Sequence, residues 1–329
     1  MIRIFTGAAC LDHRTPPGYP EKPERLASVV AGLRERGWAF AEEERNEQKE
    51  TAHAGTREAV LAIHDAAYVG RFERAVARGD SLLDSADNPL SAGTWNAAWA
   101  AASTAVAAAD WVAASGDRTA LAAVRPPGHH AERATAMGFC FFNNVAVAAE
   151  HLRRRGASRL AIFDFDVHHG NGTQYLFEAR ADVLYASTHQ YPFYPGTGAA
   201  GETGTGAGEG FTLNVPLPAG TGDDGYAEAI QGRILPALRR FSPDVLLLSA
   251  GFDAWQADPL GGMRVTRDGF RAWGDWLRGL AAEVCGGRVL ALLEGGYDLR
   301  NLPSLVDEHL VGLAGGRPTF DSHPIDERQ

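Results

Sequence analysis

Five short apolar runs, each broken at its C-terminal end by acid, imidazole or glycine, set the tightest limit on how this chain folds. Ala120–Val124, Leu160–Phe165, Val183–Ser187, Val245–Ser249 and Val289–Leu293 are each five or six residues long. Their near-continuous apolarity is that of strands buried on both faces, as in a parallel sheet. The stretches between them are long enough for crossover helices, so the alternation predicts an α/β fold with a central, mainly parallel sheet flanked by helices. RPPGHH, DVHHG, THQ, AGFDA and EGGY follow the five runs. Ligands in open α/β sheets bind beyond the carboxyl ends of strands, so these loops are predicted to converge on one site.

The second run carries the most pointed chemistry. Asp164, Asp166 and His168 stand at alternate positions as it ends, and side chains two apart on a strand share a face. Two carboxylates in an apolar segment lose solvation unless they are paired. A bound cation removes that difficulty, and carboxylate plus imidazole is a ligand set that Zn²⁺ accepts. The competing reading is an exposed acidic strand end with a capping role, against which Ile162, Phe163 and Phe165 argue. The best third ligand is Asp253 in Ser-Ala-Gly-Phe-Asp, whose other reading is a turn or N-cap residue. Asp258, ahead of Pro259, reads as a supporting or turn residue. Three protein ligands with one open position is the catalytic zinc arrangement.

His129 and His130 follow Arg125-Pro126-Pro127-Gly128. Prolines stiffen that loop and Gly128 permits close approach. An imidazole can take a proton from an attacking water near neutral pH and return it to a leaving amine. Each ring needs a partner to fix its tautomer, and Asp164 and Asn171 are candidates. The alternative is an unrelated pair of loop histidines. Tyr297, after Glu294-Gly295-Gly296, can donate to an oxyanion or can be a core tyrosine.

Elsewhere the sequence predicts a first strand at Met1–Phe5 with no signal peptide before it, a helix over 20–36, and a long Ala-rich helix over 94–114. Trp95, Trp99, Val106 and Trp111 on that helix read as core. Asp87-Asn88-Pro89 reads as a turn, the charged run 42–50 as a solvated face or loop, and His53 and His64 as local polar or capping groups. Gly196, Gly198 and Gly201 formally satisfy G-x-G-x-x-G, but a strand over 211–215 follows and no GK[ST] is present. The glycine-rich segment 195–210 is therefore read as a flexible loop beside the site. Without linker or repeat, residues 1–329 read as one catalytic domain.

Net charge is −10 with basic residues scattered, which argues against a nucleic-acid partner and mildly favours a cationic substrate. No apolar run nears the roughly 18 residues of a membrane span. Cys10, Cys140 and Cys285 are few and widely spaced, which fits a reducing, cytoplasmic location and no thiolate metal site.

RPPGHHAE at 125–132, GFCFFNN at 138–144, DFDVHHGNGTQ at 164–174, AGFDA at 250–254, DPLGG at 258–262 and EGGY at 294–297 together resemble zinc-dependent histone deacetylases. The similarity is greatest to class II enzymes and their bacterial deacetylase-like amidohydrolase relatives, and it runs from about Pro20 to Leu313. It implies the arginase/deacetylase fold, with Asp166, His168 and Asp253 as ligands of a single Zn²⁺. It implies His130 as general base and acid facing Asn171, His129 as electrostatic partner supported by Asp164, and Tyr297 as the transition-state tyrosine. Phe139, Phe193 and Tyr194 would wall a narrow acyl-lysine tunnel beside Gly138, with Gly295 and Leu260 also at the substrate and Asp87 as the rim aspartate. A structural K⁺ would take Asp164, Asp166, His168, Ser187 and Thr188. Two departures stand out: Tyr194 occupies a place where many members have Phe, and the glycine loop at 201–210 is long.

The expected activity is removal of acetyl or short acyl groups from lysine side chains or lysine-like amines. The alternatives are an acetylpolyamine deacetylase, an arginase-like dimanganese hydrolase and an inactive acyl-lysine binder. Leu260 offers no carboxylate for a second ammonium, which leans away from polyamines. The expected partner is an acetylated lysine or small acylated amine, without nucleic acid or membrane, and a homo-oligomer is left open.

Overall fold

The computed structural model of the chain describes residues 1–41, 46–114 and 116–317, with side chains of 46–54 outside the description. The strands in chain order are β1 (Ile2–Phe5), β2 (Leu82–Leu83), β3 (Ser85–Pro89), β4 (Thr119–Ala122), β5 (Leu160–Asp164), β6 (Val183–Gln190), β7 (Thr212–Leu217), β8 (Val245–Ala250) and β9 (Val289–Leu293). Seven of them form one parallel sheet in the order β1-β4-β9-β8-β5-β6-β7, and β2 and β3 pair separately. All five predicted runs are strands, and β4, β5, β6, β8 and β9 are buried along their whole length.

The helices are α1 (Pro23–Glu35), α2 (Asn46–Ile63), α3 (Ala66–Arg78), α4 (Thr94–Ala113), α5 (Asn144–Arg154), α6 (Asn171–Phe177), α7 (Asp223–Ala229), α8 (Leu235–Phe241), α9 (Arg267–Cys285) and α10 (Leu302–Ala314). A short π-helical turn, Ile230–Ile234, joins α7 to α8. α1 starts later than 20 because Pro23 forces Lys22 into extended backbone. The buried face of α4 is built of alanines, among them Ala97, Ala101 and Ala105. Trp95, Trp99 and Trp111 sit partly buried at its margins. No described helix is long and apolar enough to cross a membrane.

Strand order explains how the site is assembled. β4, β9, β8, β5 and β6 are consecutive neighbours, so the loops after them lie side by side at one sheet edge. In register, Asp164 at the end of β5 faces Ser187 on β6 and Ser249 on β8.

Three local expectations change. Asp87-Asn88-Pro89 is not a turn but the end of β3; the reversal lies at Asp84, whose φ is 62°, and Asn88 fastens the strand by donating from Nδ2 to Cys140 O at 2.9 Å. Proline is tolerated there because the strand is an edge. His64 is no local cap: its Nε2 accepts the Asn143 N–H at 2.9 Å and its Nδ1 donates to Glu132 O at 2.9 Å. The glycine-rich loop is tied down, since Glu202 Oε1 accepts the N–H groups of Gly198 and Ala199 at 3.0 and 2.9 Å. The side chains of the charged run 42–50 and of His53 lie outside the described residues.

Candidate active site

Asp166 and His168 follow β5, Asp253 follows β8, and one ligand atom from each lies within 4.8 Å of the others. His168 Nδ1 is 3.0 Å from Asp166 Oδ1 and 3.2 Å from Asp253 Oδ2. Each carboxylate is aimed by the backbone: Asp166 Oδ2 accepts the Gly295 N–H at 2.8 Å, and Asp253 Oδ1 accepts the Val167 N–H at 2.9 Å. A Cβ at Gly295 would collide with both carboxylates, so this position requires glycine. Asp253 Oδ2 is buried without a hydrogen bond. Burial and the neighbouring Asp166 charge push the Asp253 carboxyl up. For Asp166, burial is outweighed by the charge on His129 and by hydrogen bonds from His168, which hold it well below the usual carboxylate range. Two buried carboxylates and an imidazole nitrogen at this spacing fit a divalent cation.

β4 delivers the imidazole pair. His129 Nδ1 lies 3.1 Å from Asp164 Oδ2, and His130 Nδ1 lies 2.8 Å from Asn171 Oδ1. Asn171 donates from Nδ2 to Glu132 Oε1 at 2.8 Å, so its Oδ1 faces His130 and the His130 proton sits on Nδ1. The two rings, 4.0 Å apart, have opposite tendencies. Burial would lower His129, but Asp164 and Asp166 outweigh it and raise the group to about 10. Burial and the charges of His129 and His168 push His130 well below its ordinary value. The surroundings thus favour the charged form of His129 and the neutral form of His130.

β9 supplies Tyr297, which is 9% exposed. Its N–H donates to Asp258 Oδ2 at 2.7 Å, and burial raises its phenol well above the ordinary value. A cavity of about 220 Å³ is lined by Asp87, His130, Gly138, Phe139, His168, Phe193, Tyr194, Leu260 and Tyr297. Phe193 stacks on His168 at 5.3 Å, Tyr194 stands edge-on to His130 at 5.2 Å, and Phe139 tilts against Tyr297 at 5.9 Å. Gly138 has a φ of 55°, and a Cβ there would strike the His130 ring. A slot walled by Phe139, Phe193 and Leu260, with five titratable side chains among its lining, suits a slim aliphatic substrate ending in a polar group.

The sequence matches the histone deacetylase domain over residues 19–313. The chain belongs to the histone deacetylase family. It is 41% identical over 317 residues to a probable deacetylase of Archaeoglobus fulgidus, covering 96% of this chain and 86% of that protein. It is 41% identical over 293 residues to a histone deacetylase-like amidohydrolase of Pseudomonas aeruginosa, covering 87% of this chain and 74% of that one. The crystal structure of an acetylpolyamine aminohydrolase from Burkholderia pseudomallei superposes with a TM-score of 0.83 at 32% identity, covering 97% of this chain and 100% of the other. The family is metal-dependent, in keeping with the Asp166–His168–Asp253 cluster.

Gly295, expected at the substrate, stands apart from the other residues named for the tunnel. It is not among the cavity-lining residues but lies beneath the ligand carboxylates, because its N–H is committed to Asp166. Of the oxygens named for K⁺, Ser187 Oγ pairs with His189 Nδ1 at 2.9 Å, and Thr188 Oγ1 is buried without a partner.

Three charged residues escaped the sequence reading. Glu294 Oε2 accepts the N–H groups of Gly128 and His129 at 2.6 and 3.2 Å and so anchors the histidine loop to the tyrosine loop. Arg25 donates to Gly296 O and Glu294 O, both at 2.6 Å. Glu21, fully buried, accepts from Arg25 at 3.2 Å and from Arg125 at 2.7 Å. A signal existed for Arg25: it falls on the same α1 stripe as Val29 and Leu33.

Proposed function

We propose that this chain hydrolyses the acyl amide of acetylated lysine side chains or similar small acylated amines, with one Zn²⁺ held by Asp166, His168 and Asp253. A zinc ion there would supply Lewis acidity to the amide carbonyl and to the attacking water. The observation that carries the reading is the 2.8 Å contact of His130 Nδ1 with Asn171 Oδ1, in a ring whose burial favours the neutral form. Its Nε2 keeps a free lone pair beside His168, the ring centroids being 6.0 Å apart. His130 accepts the proton of water and later passes it to the departing amine. His129, held cationic against Asp164, lowers the cost of negative charge building nearby. Tyr297 donates its hydroxyl to the developing oxyanion. Phe139, Phe193 and Tyr194 exclude water around the alkyl chain, with Leu260 and Asp87 at the mouth.

A second reading, acetylated polyamine as substrate, is favoured by the likeness to the Burkholderia aminohydrolase. Leu260 itself offers no charge to a second ammonium, whereas Asp87 lines the same cavity. A single ligand cluster among the described residues favours one metal over a dimanganese pair. The buried, unpartnered Thr188 Oγ1 supports a K⁺ beside Asp164, Asp166, His168 and Ser187. One continuous core supports a single catalytic domain over 1–329, and three free, buried thiols support a cytoplasmic location.

The test is acetate release by the zinc-loaded chain from an acetyl-lysyl peptide and from acetylputrescine, with and without chelator. Turnover of neither substrate would end the reading; turnover of acetylputrescine alone would select the second.

A further inference from the structure

Among the described residues Asp87 is the one carboxylate lining the cavity, and most of its acceptor positions are already in use. Oδ2 accepts the Gly138 N–H at 3.1 Å and the Tyr194 hydroxyl at 3.0 Å, while Oδ1 accepts the Ser85 hydroxyl. A carboxylate offers about four lone-pair positions, so little is left for a ligand. Tyr194 is 39% exposed, and its ring stands edge-on to both His130 and His168, at 5.2 and 6.0 Å. Its hydroxyl therefore reaches from the inner wall of the cavity to the strand that carries Asp87, 107 residues away in sequence.

We propose that the Tyr194–Asp87 hydrogen bond is a latch across the cavity mouth that selects small acylated amines over acyl-lysine within a peptide. This rests on the deacetylase reading above and deepens it by naming what the mouth rejects. An acyl-lysine in a peptide brings backbone N–H groups to the rim, and these need a charged acceptor to replace the water they lose. With both lone pairs of Oδ2 and one of Oδ1 engaged, Asp87 can take a second such donor only by releasing Tyr194. Release would cost the phenol its charged acceptor and loosen the ring beside His130. A small acylated amine without flanking amides makes no such demand and passes with the latch closed. The Tyr194 hydroxyl is thus a specificity-determining group, and Asp87 holds the wall in place before it holds any substrate.

The test is the ratio of kcat/KM for an acetyl-lysyl peptide to that for acetylputrescine, measured on zinc-loaded protein. Tyr194→Phe frees one acceptor position and should raise this ratio about tenfold, the scale of one charge-assisted hydrogen bond. In an Asp87→Ala background the same substitution should leave the ratio within about twofold, since no coupling remains to be lost. A general loosening of the wall would move the ratio equally in both backgrounds, and that result, or an unchanged ratio in Tyr194→Phe alone, overturns the latch. If the wild-type enzyme turns over neither substrate, the deacetylase reading fails instead. The latch is then decided by a crystal structure: a Tyr194 hydroxyl beyond hydrogen-bond distance of Asp87 overturns it, and one within that distance upholds its geometry.

Discussion

Arg25 lays its guanidinium over the ring of Tyr297, 4.6 Å from the centroid. The same side chain grips the carbonyls of Glu294 and Gly296 on either side of Gly295, so the loop that presents the tyrosine is held from below as well as faced by a cation. A phenol packed on a buried guanidinium keeps one orientation toward the cavity, which suits a group meant to meet charge that forms only in the transition state.

Tyr297→Phe removes the hydroxyl and leaves the packing. kcat should fall by about 10²-fold or more, the usual cost of a lost oxyanion donor. Zinc content, read by elemental analysis, should match wild type; wild-type turnover would remove Tyr297 from the mechanism.

Glu21→Gln strips the buried arginine pair of its only carboxylate partner among the described contacts. Removing one member of a buried ion network costs about 3–5 kcal/mol. Urea unfolding should show that loss as a lower midpoint with an unchanged slope.

Asn171→Asp places a negative charge 2.8 Å from His130 Nδ1, where a neutral amide now stands. An anion there stabilises the imidazolium and raises the His130 pKa. Because the neutral ring is the form that accepts a proton, the acidic limb of the kcat–pH profile should move to higher pH. A limb that stays in place would mean that His130 is not the base.

His64 and His309 are buried and, chiefly through desolvation, pushed down to about 4. Their folded values lie below the unfolded value of about 6.5, so the unfolded chain binds protons first as pH falls. The stability they contribute is fully present above pH 6.5 and is lost as pH falls through 4, with up to about 3 kcal/mol at stake for each. Denaturant midpoints measured between pH 7.5 and 4 should decline across that window, and His309→Phe should flatten the decline.

Zinc bound between Asp166 and Asp253 should stabilise the fold as well as activate it. A hundredfold excess over Kd contributes about 2.7 kcal/mol, so chelation should lower the thermal midpoint and zinc should restore it. A midpoint indifferent to zinc would count against the ligand set.

Much of this architecture is written locally. The runs at 160–163, 245–248 and 289–293 are strands because nothing polar interrupts them, and the acids and imidazoles at and after their ends announce a site. The segment 85–89 misled because Asp, Asn and Pro carry turn propensity. It is a strand because Asn88 finds Cys140 across the fold, a tertiary bond that local propensity does not register. Glu21, Arg25 and Glu294 went unread for a related reason: charged residues in a helix or loop look solvated until a partner more than 100 residues away buries them.

Periodicity and composition by themselves determined the layers, the parallel sheet and the edge at which chemistry gathers, because burial on two faces admits few residue types. Only the tertiary structure decided which loops became neighbours, since strand order β4-β9-β8-β5-β6 is not chain order. It also decided which lone pairs remain free. His130 keeps its Nε2 because Asn171 takes the other nitrogen, and Asp87 keeps almost nothing because Ser85, Gly138 and Tyr194 reach it first. Hydrogen bonds saturate, and which donor arrives is a matter of distance in space that a linear order of residues does not carry.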